Sequence, residues 1–596
     1  MCGIFGYVGN KQNAAELVLD GLKKLEYRGY DSWGVAVVEE DRRQKTEDRK
    51  IVVKKKAGKI GNATVGDMPM STLALGHTRW ATHGGVTDIN AHPHLDCTGT
   101  IAVVHNGIVE NFEQIKEELI EKGHHFISQT DTEVFAHLIE ENRKTYPFEE
   151  AVRKSFNRCS GLNAIIAVDS EKRVMVAVRN GSPLVVGFGK NENFIASDAA
   201  ALLVHTKEVQ FLEDGDMAVV DDRNVTLTNV TTGKKQPVKR LTLDWKVKAA
   251  EKGSYPYFML KEIYEQETVV NNITHTSLSQ IEHLAEVIKK SYGTYMVGCG
   301  SASYVCLAGS YLFSKIAKRH VNCAIGSEFG YHVDFLTSQS TVIALSQSGE
   351  TMDILESIKK AKEKGASIVA ITNVLGSTLY RIADEKILIG AGPEISVAST
   401  KVVTGKLAIL TLLAYTLAGK TKEGIQVLTQ ASQSMETVLA KENVKRIETL
   451  AKKLIQAEHM YVIGRGLSYP ASLETAMKIK EISYIHAEGM AAGELKHGPL
   501  ALVDKGTPCI AFLPDDETYG ANLAGAMEMK ARGGYVIGVS HTPHEVFDYY
   551  LPVPDAREAT IIPNIVTGQL LAYHLSILKR LDPDMPRNLA KSVTVK

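Results

Sequence analysis

Cysteine is scarce and scattered in this chain. The seven at positions 2, 97, 159, 299, 306, 323 and 509 are odd in number and never form Cys-x-x-Cys. That pattern argues against a disulfide framework and against a thiolate zinc site, and it fits a reducing cytosol. Net charge is equally lacking. With 68 basic residues against 69 acidic ones, no global field draws nucleic acid or an anionic membrane, so any anionic ligand must be held locally. The N-terminus has no positive stretch leading into an apolar run, and the longest apolar segment, KLAILTLLAYTLAG from Lys406, is too short to span a bilayer. His77, His92, His94 and His105 come without a compact set of carboxylates or thiolates, so no metal is expected. These absences point to a soluble, cytoplasmic protein.

What the chain has is length: 596 residues exceed what one core accommodates, so two to four domains are expected. Up to residue 238 short β-type runs dominate, among them GVAVVEE, TIAVVHNG, NAIIAVDS and VMVAVRNG, with helical periodicity in AAELVLDGLKKLEY and NFEQIKEELIEKG. An antiparallel sheet region covered by helices, an α+β domain, follows. The charge-dense EEDRRQKTEDRK, Glu39 to Lys50, reads as an exposed hairpin tip because both signs alternate. Both periodicities are lost between 239 and 250, which marks a linker. From 251 onward apolar strands alternate with long amphipathic helices, the pattern of βαβ units around a parallel sheet. An internal repeat is present as well: YMVGCGSASY from Tyr295 and YVIGRGLSYP from Tyr461 each run a strand into a Gly-x-Gly turn. Two further strands follow each copy at matched offsets. Two copies of one doubly wound α/β domain are expected, 251–430 and 431–582, with a tail at 583–596.

Cys2 directly follows the initiator methionine. Once that methionine is trimmed, the thiol has a free α-amine beside it, with an unperturbed pKa of roughly 8, able to accept the thiol proton near neutral pH. A buried, inert thiol is the plain alternative. The rest of the region favours the nucleophile. HTRWATHGG offers Arg79, a guanidinium fork suited to a free carboxylate, with Trp80, Thr82 and His83. HNGIVEN offers the Asn106 amide beside the Gly107 N–H, an oxyanion-hole pair. SQTDTEV puts Asp131 just before a helix, where an N-cap role would also explain it.

The segments MCGIFGYVG, LEYRGYDSWG, HTRWATHG, HNGIVENF and QTDTEV resemble, in order and spacing, the class II glutamine amidotransferase domain, an N-terminal nucleophile hydrolase. The resemblance implies Cys2 as nucleophile, Arg79 on the glutamine α-carboxylate, Asp131 on its α-amine, and Asn106 with Gly107 as the oxyanion hole. It further implies Thr82 and His83 lining the pocket and Trp80 gating an ammonia passage. Trp33 stands where a small residue is more usual, with altered packing beneath that site as its expected effect.

In the second half, SQSGET, Ser346 to Thr351, ends a strand and opens a helix. Its hydroxyls, the Gln347 amide and the helix N-terminus suit a phosphate, although capping by Ser348 and Thr351 would read the same way. Lys478 and Glu481, three apart on an expected helix, share a face, as a surface ion pair also would. His497 in GELKHGP is suited to proton transfer. Lys591 stands in a tail, MPRNLAKSVTVK, that lacks polar bias, and a partly desolvated lysine forms Schiff bases.

SQSGET, SVASTK, KEISYIHAE, GELKHGPLAL and PRNLAKSVTV resemble the paired sugar isomerase domains of the isomerizing glutamine:fructose-6-phosphate aminotransferase family. The implied fold is an N-terminal nucleophile hydrolase domain, 1–238, followed by two doubly wound sugar isomerase (SIS) domains. The implied reaction turns glutamine and fructose 6-phosphate into glutamate and glucosamine 6-phosphate, with no cofactor and no metal. Ser346, Gln347, Ser348 and Thr351 would hold the phosphate with Ser301 nearby, and Val397 and Ser399 would touch the sugar. Lys591 would form the imine, His497 assist ring opening, and Glu481 move the proton between C1 and C2 beside Lys478. A homodimer or larger assembly is implied, with His497 serving the neighbouring subunit. Ala302 departs from the family's hydroxyl, leaving weaker phosphate binding or a substitute role for Ser303 as alternatives. Two other readings stand beside this one. A glutaminase with another acceptor would need a phosphoribosyl, adenylating or flavin module, and no such motif is seen. A sugar-phosphate sensor would not need Cys2, Glu481, His497 and Lys591.

Overall fold

The computed structural model describes residues 2–39, 50–243 and 251–593. The charged segment 40–49 and the linker from 244 onward lie outside the described residues, as does Met1. The chain divides into two compact units, Met1–Ala250 with Ser592–Lys596, and Glu251–Lys591.

The first unit stacks two antiparallel sheets between helical layers. Along the strand Gly3–Gly9 the side chains alternate: Phe5 and Tyr7 pack with the helix Ala14–Leu25, whereas Ile4 and Val8 face the second sheet. The same alternation sends Trp33, Val35 and Val37 to the helix and Ala36 and Val38 to the sheet–sheet interior. The helices Phe112–Glu121, Glu133–Arg143 and Phe148–Arg158 cover the far side of the second sheet. Strands with both faces covered are buried along their whole length, which the helix-covered sheet expected from sequence did not specify. Trp33 belongs to the helix-side core, paired across the strands with Thr78.

Within the first sheet, Gly3–Gly9 lies centrally between Glu192–Ala196 and Leu73–Arg79. Gly3 pairs with Thr78, so the register puts Cys2 beside Arg79 at one end of the sheet.

The second unit holds two five-stranded parallel sheets. In chain order, Gly293–Gly298, Asn322–Ile325, Ser340–Ser346, Ser367–Thr372 and Glu385–Leu388 form the first; His459–Gly464, His486–Ala491, Pro508–Leu513, Tyr535–Ser540 and Tyr549–Pro552 form the other. Both have the spatial order 2-1-3-4-5, so the repeat read from Tyr295 and Tyr461 extends to the whole topology. On one face the two copies share a core, to which helix Lys401–Leu417 and residues of both sheets contribute, while on the other face each sheet has a core of its own. Among the described residues the helix Arg557–Leu578, and not the stretch from Lys406, is the one long and apolar enough to cross a membrane by length and composition. With 83% of its apolar window buried, it is a core helix, because its apolar residues already have protein partners.

Candidate functional site

Two clusters of chemically capable side chains are present, one in each unit. In the first, the Cys2 thiol accepts the Trp80 N–H at 3.3 Å. Burial raises its pKa, opposed by that N–H and by Arg79 and Arg28. The Cys2 carbonyl accepts from the Asn106 Nδ2 at 3.0 Å and the Arg28 Nε at 3.2 Å. The orientation of the Asn106 amide follows from His77. Burial drops the His77 pKa to about 3, so the ring is neutral, and its Nε2 faces two acceptors, the His105 carbonyl at 2.9 Å and Asn106 Oδ1 at 3.1 Å. That nitrogen therefore carries the proton and Asn106 must turn Nδ2 towards Cys2.

Gly107 follows with φ +140°; a Cβ there would stand 2.3 Å from the Leu162 carbonyl oxygen, so only glycine fits. The Asp131 carboxylate accepts the Val109 N–H at 2.7 Å, tying the glycine loop to the start of the helix Glu133–Arg143. The helix itself has no side-chain cap, so N-capping does not explain Asp131. Arg79 is buried, donates to the carbonyls of His83, Gly84 and Gly85, and feels the charges of Cys2 and Asp131. His83 packs edge-on against Phe112, Trp80 against Tyr30, and Thr82 is exposed in the same loop. Cys2, Arg79, Asn106, Gly107 and Asp131 thus lie near one another. Arg28, inside the motif LEYRGYDSWG, was missed; its ion pair with Asp198 at 3.3 Å fixes the group that holds the Cys2 carbonyl.

In the second unit the turn Ser346–Thr351 follows the strand Ser340–Ser346, and Ser301 follows its neighbour Gly293–Gly298. This is the point where the strand order reverses, the crevice in which doubly wound sheets bind ligands. Ser346 Oγ accepts the Gly349 N–H at 2.9 Å and lies 3.3 Å from Thr351 Oγ1; Ser348 Oγ accepts the Glu350 N–H at 3.1 Å. Gln347 is half-buried in the same turn. Thr351 makes no side-chain cap to the helix Met352–Glu363, so ordinary capping does not account for it. Ala302 lies in the apolar core, and the Ser303 hydroxyl donates to the Gly300 carbonyl at 2.7 Å.

Ser301 donates to Glu474 at 3.1 Å. On the helix Ser468–Ser483 the buried Lys478 stands between Glu474, at 3.5 Å, and Glu481, which it contacts directly. With side-chain exposure of 1%, Lys478 is not part of a surface pair. Burial opposes its charge, but the two carboxylates outweigh burial and raise its pKa; burial pushes Glu474 up to about 7.

The tail folds back into this unit. Asp584 accepts the Phe258 and Met259 N–H groups at 2.8 and 2.7 Å, and its carbonyl accepts the Val397 N–H at 2.9 Å. Lys591 Nζ then donates to Glu394 at 2.6 Å and to the Ser396 carbonyl at 2.7 Å. Glu394 also accepts the Ser399 hydroxyl and the Thr400 and Val402 N–H groups. Although burial raises the Glu394 pKa, Lys591 and those donors lower it to about 2, while neighbouring Glu262 is pushed up to about 8 by burial and by the Glu394 charge. Buried Lys406 feels Glu394, Glu474 and Lys591 alike, so the two groups of charges stand within electrostatic reach. Glu262, Glu394, Lys406 and Glu474 were missed; no motif marks them and only their burial singles them out. His497 is exposed at the end of the turn Glu494–His497, and no hydrogen bond or ion pair among the described residues joins it to Lys591, Glu394 or Glu481.

Glu262 gives a pH test. Its folded pKa lies above its unfolded one, so the folded state holds a proton the unfolded state has lost, and stability falls as pH rises from about 4.5 towards 8. Thermal unfolding across that window should show a smaller decline for Glu262→Gln than for the wild type.

The SIS domain family matches residues 288–416 and 453–550, and the glutamine amidotransferase domain family matches 77–204. Among solved structures, the C-terminal domain of glucosamine-fructose-6-phosphate aminotransferase from Francisella tularensis aligns with a TM-score of 0.51 at 35% identity, covering 56% of this chain and 99% of that one. Tagatose-6-phosphate ketose/aldose isomerase from Escherichia coli shares the fold at a TM-score of 0.50 and 16% identity, over 56% of this chain and 96% of its own. Glutamine–fructose-6-phosphate aminotransferase [isomerizing] of Pyrococcus horikoshii is 44% identical over 614 residues, and that of Thermococcus kodakarensis 44% over 619, each covering 100% of both chains. With matching domains in matching order over its full length, the chain belongs to the isomerizing glutamine–fructose-6-phosphate aminotransferase family.

Proposed function

We propose that this chain makes glucosamine 6-phosphate and glutamate from fructose 6-phosphate and glutamine. In the first unit, the α-amine exposed when Met1 is removed takes the Cys2 proton, and Sγ attacks the glutamine amide carbon. Asn106 Nδ2 and the Gly107 N–H hold the oxyanion. Ammonia leaves, and water hydrolyses the thioester to glutamate. Arg79 holds the substrate carboxylate and Asp131 its amine, with Thr82 and His83 lining the pocket and Trp80 gating the route by which ammonia is channelled to the sugar.

In the second unit, Ser346, Gln347, Ser348 and Thr351 hold the phosphate with Ser301, and Val397 and Ser399 contact the sugar. Lys591 gives up a proton, for which the Glu394 carboxylate is the nearest acceptor, and forms an imine at the ketose carbonyl with loss of water. Ammonia then displaces the lysine, and Glu481, with Lys478 setting its charge, takes the C1 proton and returns it at C2. His497 assists ring opening in the site of a second copy, a role supported by its exposure in the single chain; the working form is a homodimer or larger. A cytoplasmic location fits the free cysteines.

The observation that carries the reading is the Cys2 thiol seated on the Trp80 N–H at 3.3 Å beside Arg79 and Asn106. Product formation should be measured with glutamine and with ammonium on wild type and Cys2→Ala. Glutamine-dependent product is expected to vanish in the variant while ammonium-dependent product persists. Glutamate release without amino sugar from the wild type would overturn the acceptor.

A further inference from the structure

Away from the glutamine site, three segments of the first unit converge on a group that neither half-reaction uses. Cys97 lies in the turn between the strands His94–Leu95 and Ile101–Asn106, and His124 in the turn after the helix Phe112–Glu121. His137 and Glu140 stand three apart on one face of the helix Glu133–Arg143. Their ligating atoms all lie within 4.8 Å of one another. Cys97 Sγ is 3.6 Å from His124 Nδ1 and 3.5 Å from His137 Nδ1, and Glu140 Oε2 is 3.0 and 3.2 Å from the same two nitrogens.

These separations can be compared with those a metal imposes. A tetrahedral ion bound at about 2.3 Å to sulfur and about 2.05 Å to nitrogen and oxygen keeps sulfur about 3.5 Å from nitrogen and nitrogen about 3.4 Å from oxygen. The sulfur–nitrogen distances match, and the nitrogen–oxygen distances are shorter by an amount that a small torsion of the Glu140 side chain supplies.

The surroundings support the same reading. His124 Nε2 lies 3.1 Å from the Glu141 carboxylate and His137 Nε2 3.5 Å from that of Glu133. Each ring can thus keep its proton on Nε2 and present a bare Nδ1, the arrangement in which carboxylates orient metal-bound histidines. Glu133 is itself held by the Ile127 and Ser128 N–H groups at 2.8 and 2.7 Å. Cys97 Sγ accepts the His125 N–H at 3.5 Å, as a ligating sulfur does.

We propose that Cys97, His124, His137 and Glu140 bind one divalent ion of the zinc class. One thiolate, two imidazoles and one carboxylate suit Zn2+, and four protein donors leave no open coordination position, so the ion is structural rather than catalytic. Binding displaces the Cys97 thiol proton to solvent, and the thiolate and carboxylate balance the two positive charges. The ion pins two turns to the helix that begins just after Asp131 and Thr132. The absence of Cys-x-x-Cys led the sequence to no metal, because here the thiolate and the first imidazole each arrive from a separate segment.

The test uses the full chain, stripped with a chelator and then titrated with Co2+ alone. Expected are saturation at one ion per chain, a near-ultraviolet sulfur-to-cobalt charge-transfer band, loss of that band on adding Zn2+, and no band in Cys97→Ser. Chelation should lower the unfolding temperature of the wild type and leave that of Cys97→Ser unchanged. Because Cys97 is exposed, the serine variant is expected to fold, and Glu140→Gln, which keeps the thiol, should weaken Co2+ binding without abolishing the band. No band in the wild type, or an unchanged band in Cys97→Ser, overturns the site and leaves a hydrogen-bonded cluster.

Discussion

Lys591→Met is expected to abolish glucosamine 6-phosphate formation with glutamine and with ammonium alike, while glutamate release at Cys2 continues. Ammonium cannot rescue this variant, because the missing step is activation of the sugar carbonyl and not the nitrogen supply. The loss should exceed the roughly 10²–10⁴-fold that removing a general acid or base costs, since a covalent intermediate disappears with the side chain. A second effect follows from burial. Lys591 and Glu394 have side-chain exposures of 3% and 0%, so the substitution strands a buried carboxylate and should cost the second unit about 3–5 kcal/mol, read by urea unfolding. Lys591→Arg separates the two effects: it keeps a positive charge beside Glu394 and most of the stability, yet its guanidinium forms no imine. Amino sugar production by either variant at a wild-type rate would remove Lys591 from the mechanism.

Gly107→Ala is expected to lower glutamine hydrolysis by roughly 10²–10³-fold, the cost of losing one oxyanion-hole donor. The new Cβ would stand 2.3 Å from the Leu162 carbonyl oxygen and 2.9 Å from both Asn163 Oδ1 and His105 Nε2, at φ +140°. The first of these is backbone leading into the strand Asn163–Asp169 and cannot swing aside, so the Gly107 peptide itself must shift. About 1–3 kcal/mol of strain should accompany the change. Because the damage lies in the first unit, ammonium-dependent synthesis should be retained; steady-state rates with the two nitrogen donors make the comparison.

Several sequence signals had a plain alternative, and the structure decides them through burial. Lys478 and Glu481 at i,i+3 look the same whether the pair lies on a surface or in a core; Lys478 is in the core. Asp131 before a helix suggests an N-cap, yet its carboxylate holds the Val109 N–H. Ser348 and Thr351 suggest capping, yet Thr351 pairs with Ser346 instead. Glu394 carries no local sign at all: its partner is 197 residues away along the chain, on a tail anchored by Asp584 and by the Arg587 N–H on the Tyr484 hydroxyl.

By itself the sequence determined what near neighbours decide: the cysteine directly behind the first methionine, the period-two strands of the first unit, the alternation of strand and helix in the second, and the duplicated Gly-x-Gly turns. These follow from periodicities that short segments express on their own. The tertiary structure alone decided that the first unit's strands are covered on both faces, that both parallel sheets share a core on one face, and that Lys591 meets Glu394. It also decided which of the buried acids near Lys591 and Lys478 have a raised pKa and which a lowered one. Those outcomes depend on contacts between residues far apart in the chain and on how much water such contacts exclude, and exclusion of water sets both the free energy of apolar packing and the charge state of a buried group.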